Sequence, residues 1–353
     1  MRTPPARALL LALLILVLSP PAPARAEGSR RTVLVEFFCT QGCQWAETAA
    51  AALDRVAEEF GTDRILAVEY NLDLEPGLFE RRFYLYVPPG THVPFAFFDG
   101  SRLGIYGSNN DVEESYRWYR DATQQELAAP SPLRLESAVQ VSAGGAAFEV
   151  RLTNVSAETI AGADLYLGLY ERARIGRTER LLRYLSPALP LDPLAPGEPR
   201  LVAQQLPPLA PGVDLSRVAG LAFVQLASDS AVLQAAPAAE PWLALRPASL
   251  AMVIAAGSEP ASQAIVVDGL GAPFRWWLEA PPADWLQVEP PAGKRGEFFT
   301  ITLDPTGMPR GTYRERLVVR TDGPFAPAER EIAITLHVAT QVHTTFLPLL
   351  ACP

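Results

Sequence analysis

The chain has 353 residues, enough for two or three domains of roughly 100–150 residues each. Apolar residues make up 49% of it, which excludes wholesale disorder because sizeable cores can form. The formal net charge of −9 argues against nucleic acid and anionic membrane surfaces as partners, since both attract clusters of lysine and arginine.

The first residues have the pattern of a secretory signal peptide. Arg2 and Arg7 precede an unbroken apolar run over residues 8–18, and residues 24–26 fit an A-x-A cleavage site. A run of about 11 residues is too short to span a bilayer, which needs about 20. We predict that residues 1–26 are removed on export, with a short uncleaved anchor as the alternative, and no later segment reaches spanning length. The protein is therefore expected to be secreted or in the cell envelope, where disulfides persist.

Two linkers rich in proline and alanine, at residues 128–132 and 235–241, divide the rest of the chain. They predict a first domain over residues 31–128, a second over 133–238 and a third over 242–339. A short tail, residues 341–353, follows and contains Cys352.

The first section alternates strand and helix patterns. We predict strands over residues 32–38, 64–70, 93–98 and 102–106, and helices over residues 44–60, 75–86 and 111–127. Gly61 ends the first helix, Asp99-Gly100 forms a hairpin turn, and Asn109 or Asn110 caps the last helix. The first helix buries one face, made of Trp45, Ala49, Leu53, Val56 and Phe60.

This order of elements resembles the thioredoxin fold. Residues 35–43, with the sequence VEFFCTQGC, are similar to the fingerprint ELFTSQGC of secreted thioredoxin-fold proteins. Pro94 stands at the start of the third strand, where a thioredoxin carries its cis-proline facing the active site. The resemblance implies an α/β thioredoxin-like domain over residues 31–128.

The resemblance also implies a thiol site at the start of the first helix. Cys43 matches the attacking cysteine of thioredoxins, whose thiolate is stabilised by the helix N-terminus, but Ala46 occupies the position of the resolving cysteine. The second thiol is upstream, at Cys39, and a Cys39–Cys43 disulfide is expected. The pair is either redox-active or an inert staple; two unpaired thiols, or pairing with Cys352, are the remaining alternatives.

Three further residues are candidates for this site. Glu36 matches the buried acid of thioredoxins and could relay a proton, although it could equally lie at an exposed strand end or pair with an arginine. His92 could stabilise a thiolate, or be an exposed histidine without a role, and Trp45 could line a groove or belong to the core. No metal or cofactor motif accompanies these residues, so neither a metal nor a cofactor is expected.

The second and third sections consist of short strands separated by turns, which predicts two all-β sandwich domains. Residues 150–171 and 222–236 resemble an immunoglobulin-like domain. Residues 245–250, 285–290, 299–303 and 332–338 resemble the BACON domain, an immunoglobulin-like sandwich for which glycan binding is proposed. Trp276, Trp277 and Trp285 could stack on sugars or belong to the core.

The sequence therefore predicts an exported protein that exchanges thiols and disulfides with extracytoplasmic proteins. In this hypothesis Cys43 attacks, Cys39 resolves, Glu36 relays protons and Pro94 shapes the substrate site. The alternative is a non-enzymatic surface protein with a structural disulfide, which binds protein or glycan through its sandwich domains.

Overall fold

The computed structural model describes residues 28–341, except 75, 101–102, 108–109, 173–177, 179, 272, 280–282 and 324–328. The predicted signal peptide, Asn109 and Cys352 lie outside the described residues. The first section contains four strands and three helices, in the order β1 (Val33–Cys39), α1 (Trp45–Phe60), β2 (Ile65–Asn71), α2 (Pro76–Phe83), β3 (Phe95–Phe98), β4 (Leu103–Tyr106) and α3 (Val112–Leu127). Asp111, rather than Asn110, caps α3 by accepting hydrogen bonds from the backbone N–H groups of Glu113 and Glu114.

The rest of the described chain is built from strands, with one short 3-10 turn at Leu215–Arg217. The second section holds β5 (Leu133–Ser142), β6 (Gly145–Asn154), β7 (Ala163–Glu171), β8 (Leu181–Leu185), β9 (Leu189–Leu191), β10 (Pro199–Leu206), β11 (Val218–Leu226) and β12 (Val232–Ala238). The third section holds β13 (Trp242–Arg246), β14 (Ser249–Ala255), β15 (Ala261–Leu270), β16 (Arg275–Leu278), β17 (Leu286–Glu289), β18 (Ala292–Lys294), β19 (Phe298–Leu303), β20 (Gly311–Thr321) and β21 (Glu329–Ala339).

Strand β1 is buried on both faces, as its nearly continuous apolar sequence requires. Side chains alternate across a strand, so Val33, Val35, Phe37 and Cys39 join the core beneath α1 and α3. Leu34 and Phe38 belong to a second core on the opposite face of the sheet, which includes residues of the second section such as Tyr170 and Phe223. Strand β1 thus separates two cores. Its odd-numbered residues point into one core, and Leu34 and Phe38 point into the other.

The predicted fold class, an α/β thioredoxin-like domain followed by two immunoglobulin-like sandwiches, is wrong. Strands make up 52% of the structure and helices 14%. Strands β1–β4 do not form a sheet of their own but belong to a nine-stranded sheet with the order β12-β11-β7-β8-β2-β1-β3-β4, in which β9 pairs with β7. The sheet crosses between the two sections where Glu69 of β2 pairs in parallel with Leu181 of β8. Strand β2 would be an edge of a separate α/β domain, and here β8 covers that edge.

The second section also contributes a separate three-stranded sheet, β10-β6-β5. It packs on β7, β11 and β12 through a shared apolar core that includes Leu135, Phe148, Leu167 and Val224. The second section is therefore not a separate two-sheet sandwich. One of its two layers, formed by β7, β8, β11 and β12, belongs to the nine-stranded sheet that it shares with the first section.

The third section is formed by a four-stranded sheet, β13-β15-β19-β17, and a five-stranded sheet, β14-β21-β20-β16-β18. Residues from both sheets share one apolar core, with Trp276 and Phe299 packed at 5.5 Å between ring centroids. Ionic contacts tie this section to the second: Arg151 donates to Asp268 at 2.8 and 3.1 Å, and the buried Glu149 carboxylate accepts from Arg295.

Asp99, at the turn between β3 and β4, is fully buried beside Arg31. Burial raises the pKa of Asp99 to about 6, with Arg31 opposing the shift. A carboxyl whose pKa is higher in the folded state than in the unfolded chain binds its proton more tightly when folded, so its contribution to stability falls as pH rises from about 4 to about 6. We expect the free energy of unfolding of Asp99→Asn to decline less than that of the wild type across this interval, by at most about 3 kcal/mol. Urea unfolding at a series of pH values measures the difference, and parallel curves for the two proteins would contradict it.

Candidate functional site

Cys43 lies in the loop between β1 and α1, immediately before the helix. Its backbone N–H donates to the carbonyl of Thr40 at 3.3 Å, and its own carbonyl accepts from Ala46 N–H at 3.2 Å, which joins the loop to the first turn of α1. Its Sγ lies 3.8 Å from the carbonyl oxygen of Val93, the residue before Pro94. The Val93–Pro94 peptide bond is cis, and Pro94 is buried. The side chain of Cys43 retains 9% exposure.

Cys39, the last residue of β1, retains no exposure. Its Sγ donates to Oε1 of Glu69 on the neighbouring strand β2, at 3.4 Å. No bond joins the sulfur atoms of Cys39 and Cys43, so the predicted disulfide between them is wrong. The two sulfur atoms have different neighbours: that of Cys39 is held at a carboxylate, and that of Cys43 at a backbone carbonyl.

Glu36 belongs to the other face of the sheet. Its carboxylate forms a bidentate ion pair with Arg82 at 2.8 and 2.9 Å and accepts a short hydrogen bond from Tyr86. Arg82 also donates to Gln225 of β11 at 2.6 Å. Burial, followed by the Glu36 carboxylate, raises the pKa of Tyr86 well above its ordinary value, so this phenol remains protonated as a donor. The structure does not bring Glu36 together with the cysteines. Of the alternatives considered for Glu36, the structure shows the pairing with an arginine.

The other sequence candidates lie around Cys43 with different degrees of burial. Trp45, the first residue of α1, is exposed and does not belong to the core beneath that helix. His92 is also exposed, one residue before the Val93 carbonyl that contacts Cys43. Cys43 thus contacts the residue before Pro94, and His92 and Trp45 each lie within two residues of that contact along the chain.

Glu69 is the residue that sequence reasoning missed. It is fully buried in β2, and its carboxylate accepts hydrogen bonds from Cys39, from the side chain of Asn71 at 3.4 Å and from the backbone N–H of Thr178 at 2.9 Å. The signal was present, since Glu69 is the single acid in the apolar strand 64–70. Its importance depends on a contact with Thr178 in another section of the chain, which no local pattern indicates.

The tryptophans of the third section do not form one surface. Trp276 is buried in the core, and Trp285 packs against Tyr313 with 6.2 Å between ring centroids. Trp277 is 41% exposed and Phe298 is 55% exposed, but Trp277 lies in the five-stranded sheet and Phe298 in the four-stranded sheet. Within the described ranges, no group of three or more histidine, cysteine or acidic residues is arranged to hold a metal ion, and no helix is long and apolar enough to cross a membrane.

Comparison with known proteins does not assign the chain to a family. No protein-family profile and no curated protein matches it. Among solved structures, HBP35 of Porphyromonas gingivalis is similar over 87% of this chain and 98% of its own, at 12% identity and a TM-score of 0.46. A domain of the outer membrane lipoprotein Omp28 from the same organism covers 31% of this chain and 88% of its own, at 12% identity and a TM-score of 0.25. WR4, a C. elegans MSP family member, covers 28% of this chain and 97% of its own, at 14% identity and a TM-score of 0.21.

Likenesses at these scores carry no argument about fold, location or activity. The predicted BACON domain has no support from them. Secretion likewise has no support beyond the pattern of the first residues.

Proposed function

We propose that this protein is exported and reacts with disulfides of extracytoplasmic proteins through a single thiol, that of Cys43. The observation that carries the proposal is the position of Cys43 at the start of α1, with its Sγ 3.8 Å from the Val93 carbonyl and some of its surface open to solvent. The amino end of a helix carries a partial positive charge, which attracts an anion such as a thiolate. Export is supported by the basic and apolar pattern of residues 1–26.

Exposure distinguishes the two thiols. Cys39 has no exposure and donates its hydrogen to Glu69, whereas Cys43 retains 9% exposure and is followed, two residues on, by the exposed Trp45. An incoming disulfide therefore meets Cys43 first. The thiolate of Cys43 attacks one sulfur of the substrate, a bond forms between Sγ and that sulfur, the substrate S–S bond breaks, and the other substrate sulfur leaves as a thiolate.

Incubation of the purified protein with oxidised glutathione, followed by peptide mass spectrometry, tests this function. We expect one glutathione adduct, on Cys43, and its loss in Cys43→Ser. Cys39→Ser is the matched control, and it should keep the adduct because its Cys43 is unchanged. Modification of neither cysteine in the native state, or of Cys39 before Cys43, would sink the proposal.

The alternative is a non-enzymatic protein that binds protein or glycan through the third section. Fewer structural observations support it. Of the three tryptophans considered, Trp277 alone presents a large exposed surface, and Phe298 lies on the other sheet. A flat binding surface draws its affinity from several contiguous aromatic side chains, which are enriched at such centres. The thiol function is therefore the better supported of the two.

A further inference from the structure

The two thiols sit in one core but are held by different acceptors. Cys39 and Cys43 are separated by a short loop, and both belong to the cluster beneath α1. A second thiol so close would ordinarily attack a mixed disulfide on Cys43 and release its partner. The hydrogen bond from Cys39 to Glu69 opposes that step, because the thiol must leave its acceptor before its sulfur can approach Cys43.

We propose that Glu69 is a positioning residue that holds Cys39 out of the exchange, so that a mixed disulfide formed on Cys43 persists. This inference rests on the proposed function of Cys43 and specifies its outcome. The protein then keeps one half of the substrate disulfide as a lasting adduct on Cys43, instead of releasing it reduced.

The parallel pairing of β1 with β2 places the Glu69 carboxylate next to the Cys39 thiol. Phe37 is directly opposite Glu69 in the parallel register, so Glu69 points to the face that also carries Cys39. Its second oxygen accepts the Thr178 backbone N–H at 2.9 Å, and its own N–H donates to the carbonyl of Arg180 at 2.8 Å. The carboxylate is thereby fixed from the second section, and its other oxygen, Oε1, accepts from both Cys39 and the Asn71 amide.

Glu36 cannot accept a hydrogen bond from Cys39 in the same way. It lies on the opposite face of the same sheet, where Arg82 occupies both of its oxygens. The acid that governs the cysteines is on β2, although the sequence pattern around the cysteines points to β1.

Glu69→Gln tests the inference on the full chain. A glutamine that turns its carbonyl to the Thr178 N–H presents an amide donor to Cys39, so the thiol loses the carboxylate oxygen as an acceptor. We expect alkylation of Cys39 by iodoacetamide to accelerate about tenfold, the factor that corresponds to one lost hydrogen bond. Glu171→Gln is the matched control, because Glu171 is also a buried carboxylate but is paired with Arg183 and does not contact Cys39. Rates are compared where small additions of urea do not change them, so that global unfolding does not contribute.

The second readout is the fate of the glutathione adduct. In the wild type it should persist. In Glu69→Gln the Cys39 sulfur attacks the Cys43 sulfur and gives up its proton, a Cys39–Cys43 bond forms, the bond between Cys43 and glutathione breaks, and glutathione takes up the proton and leaves as a thiol. Cys39→Ser in the same background should restore the adduct.

The outcomes separate the two proposals. An unchanged Cys39 alkylation rate in Glu69→Gln overturns the role of Glu69, and so does an adduct that persists although Cys39 has become reactive. The wild type could take up no glutathione on Cys43 while Glu69→Gln still accelerates the alkylation of Cys39. In that case the proposed function fails, and the positioning role of Glu69 for Cys39 stands.

Discussion

Glu36→Gln is expected to lower the free energy of unfolding by about 3–5 kcal/mol, the cost of leaving a buried charge without its partner. The side chain of Glu36 has no exposure and that of Arg82 has 4%. The substitution preserves shape and removes the charge, so the Arg82 guanidinium keeps only the neutral Gln225 and the surrounding rings of Tyr86, Tyr166 and Phe223. Urea unfolding followed by circular dichroism measures the change.

Two further variants show that the loss arises from the unpaired charge. Glu36→Leu combined with Arg82→Met removes both charges, and we expect it to recover most of the stability, since an apolar pair of similar volume often replaces a buried ion pair without cost. Glu113→Gln breaks the exposed pair with Arg55, at 2.9 Å, and should cost less than about 1 kcal/mol. A small loss in Glu36→Gln, comparable to that of Glu113→Gln, would contradict a large contribution of the buried pair to stability.

Gly100→Ala is the second substitution with a large expected effect. Gly100 has a φ of 78°, and a Cβ added there would lie 2.0 Å from the carbonyl oxygen of Ser230 in the second section. The left-handed conformation costs a non-glycine residue about 1–2 kcal/mol, and overpacking costs about 1–3 kcal/mol more. Because the obstructing atom belongs to backbone, neither partner can turn aside as a side chain would.

Gly90→Ala is the control for this prediction. Gly90 has a φ of 89°, but nothing lies within 4 Å of the added Cβ. It should therefore show the conformational cost alone, and thermal unfolding of the two variants separates the two contributions. Equal losses at both positions would mean that the turn after β3 does not press against the second section.

The sequence patterns located the elements of the first section but not its place in the sheet. All seven predicted strands and helices between residues 32 and 127 have counterparts, because alternation and helical periodicity are local properties. The pairing of Glu69 with Leu181 is not local, and β2 is equally apolar whether it ends a sheet or continues into β8. For this reason the fold class was wrong although the elements were placed correctly.

For the site too, the sequence predicted the local positions of residues but not their contacts. The position of Cys43 before α1 and the burial of Glu36 follow from local sequence. The acceptor of each thiol does not, because Val93 and Glu69 reach the cysteines only through the pairing of β3 and β2 with β1. A disulfide was expected from the spacing of the cysteines, whereas the hydrogen bonds of their sulfur atoms depend on strands distant in sequence.

The thiol site depends on the first two sections folding as one unit, since Thr178 and β8 fix the strand that carries Glu69. Native-state hydrogen exchange of the full chain at increasing urea concentrations, read by mass spectrometry, measures this most directly. Peptides from β1 and β2 and peptides from β7, β8 and β11 should converge on one opening free energy, and Glu36→Gln should lower the protection of both groups equally. Opening of β1 and β2 in a separate and less stable unit, with β7, β8 and β11 keeping wild-type protection in Glu36→Gln, would contradict a shared sheet and the site built on it.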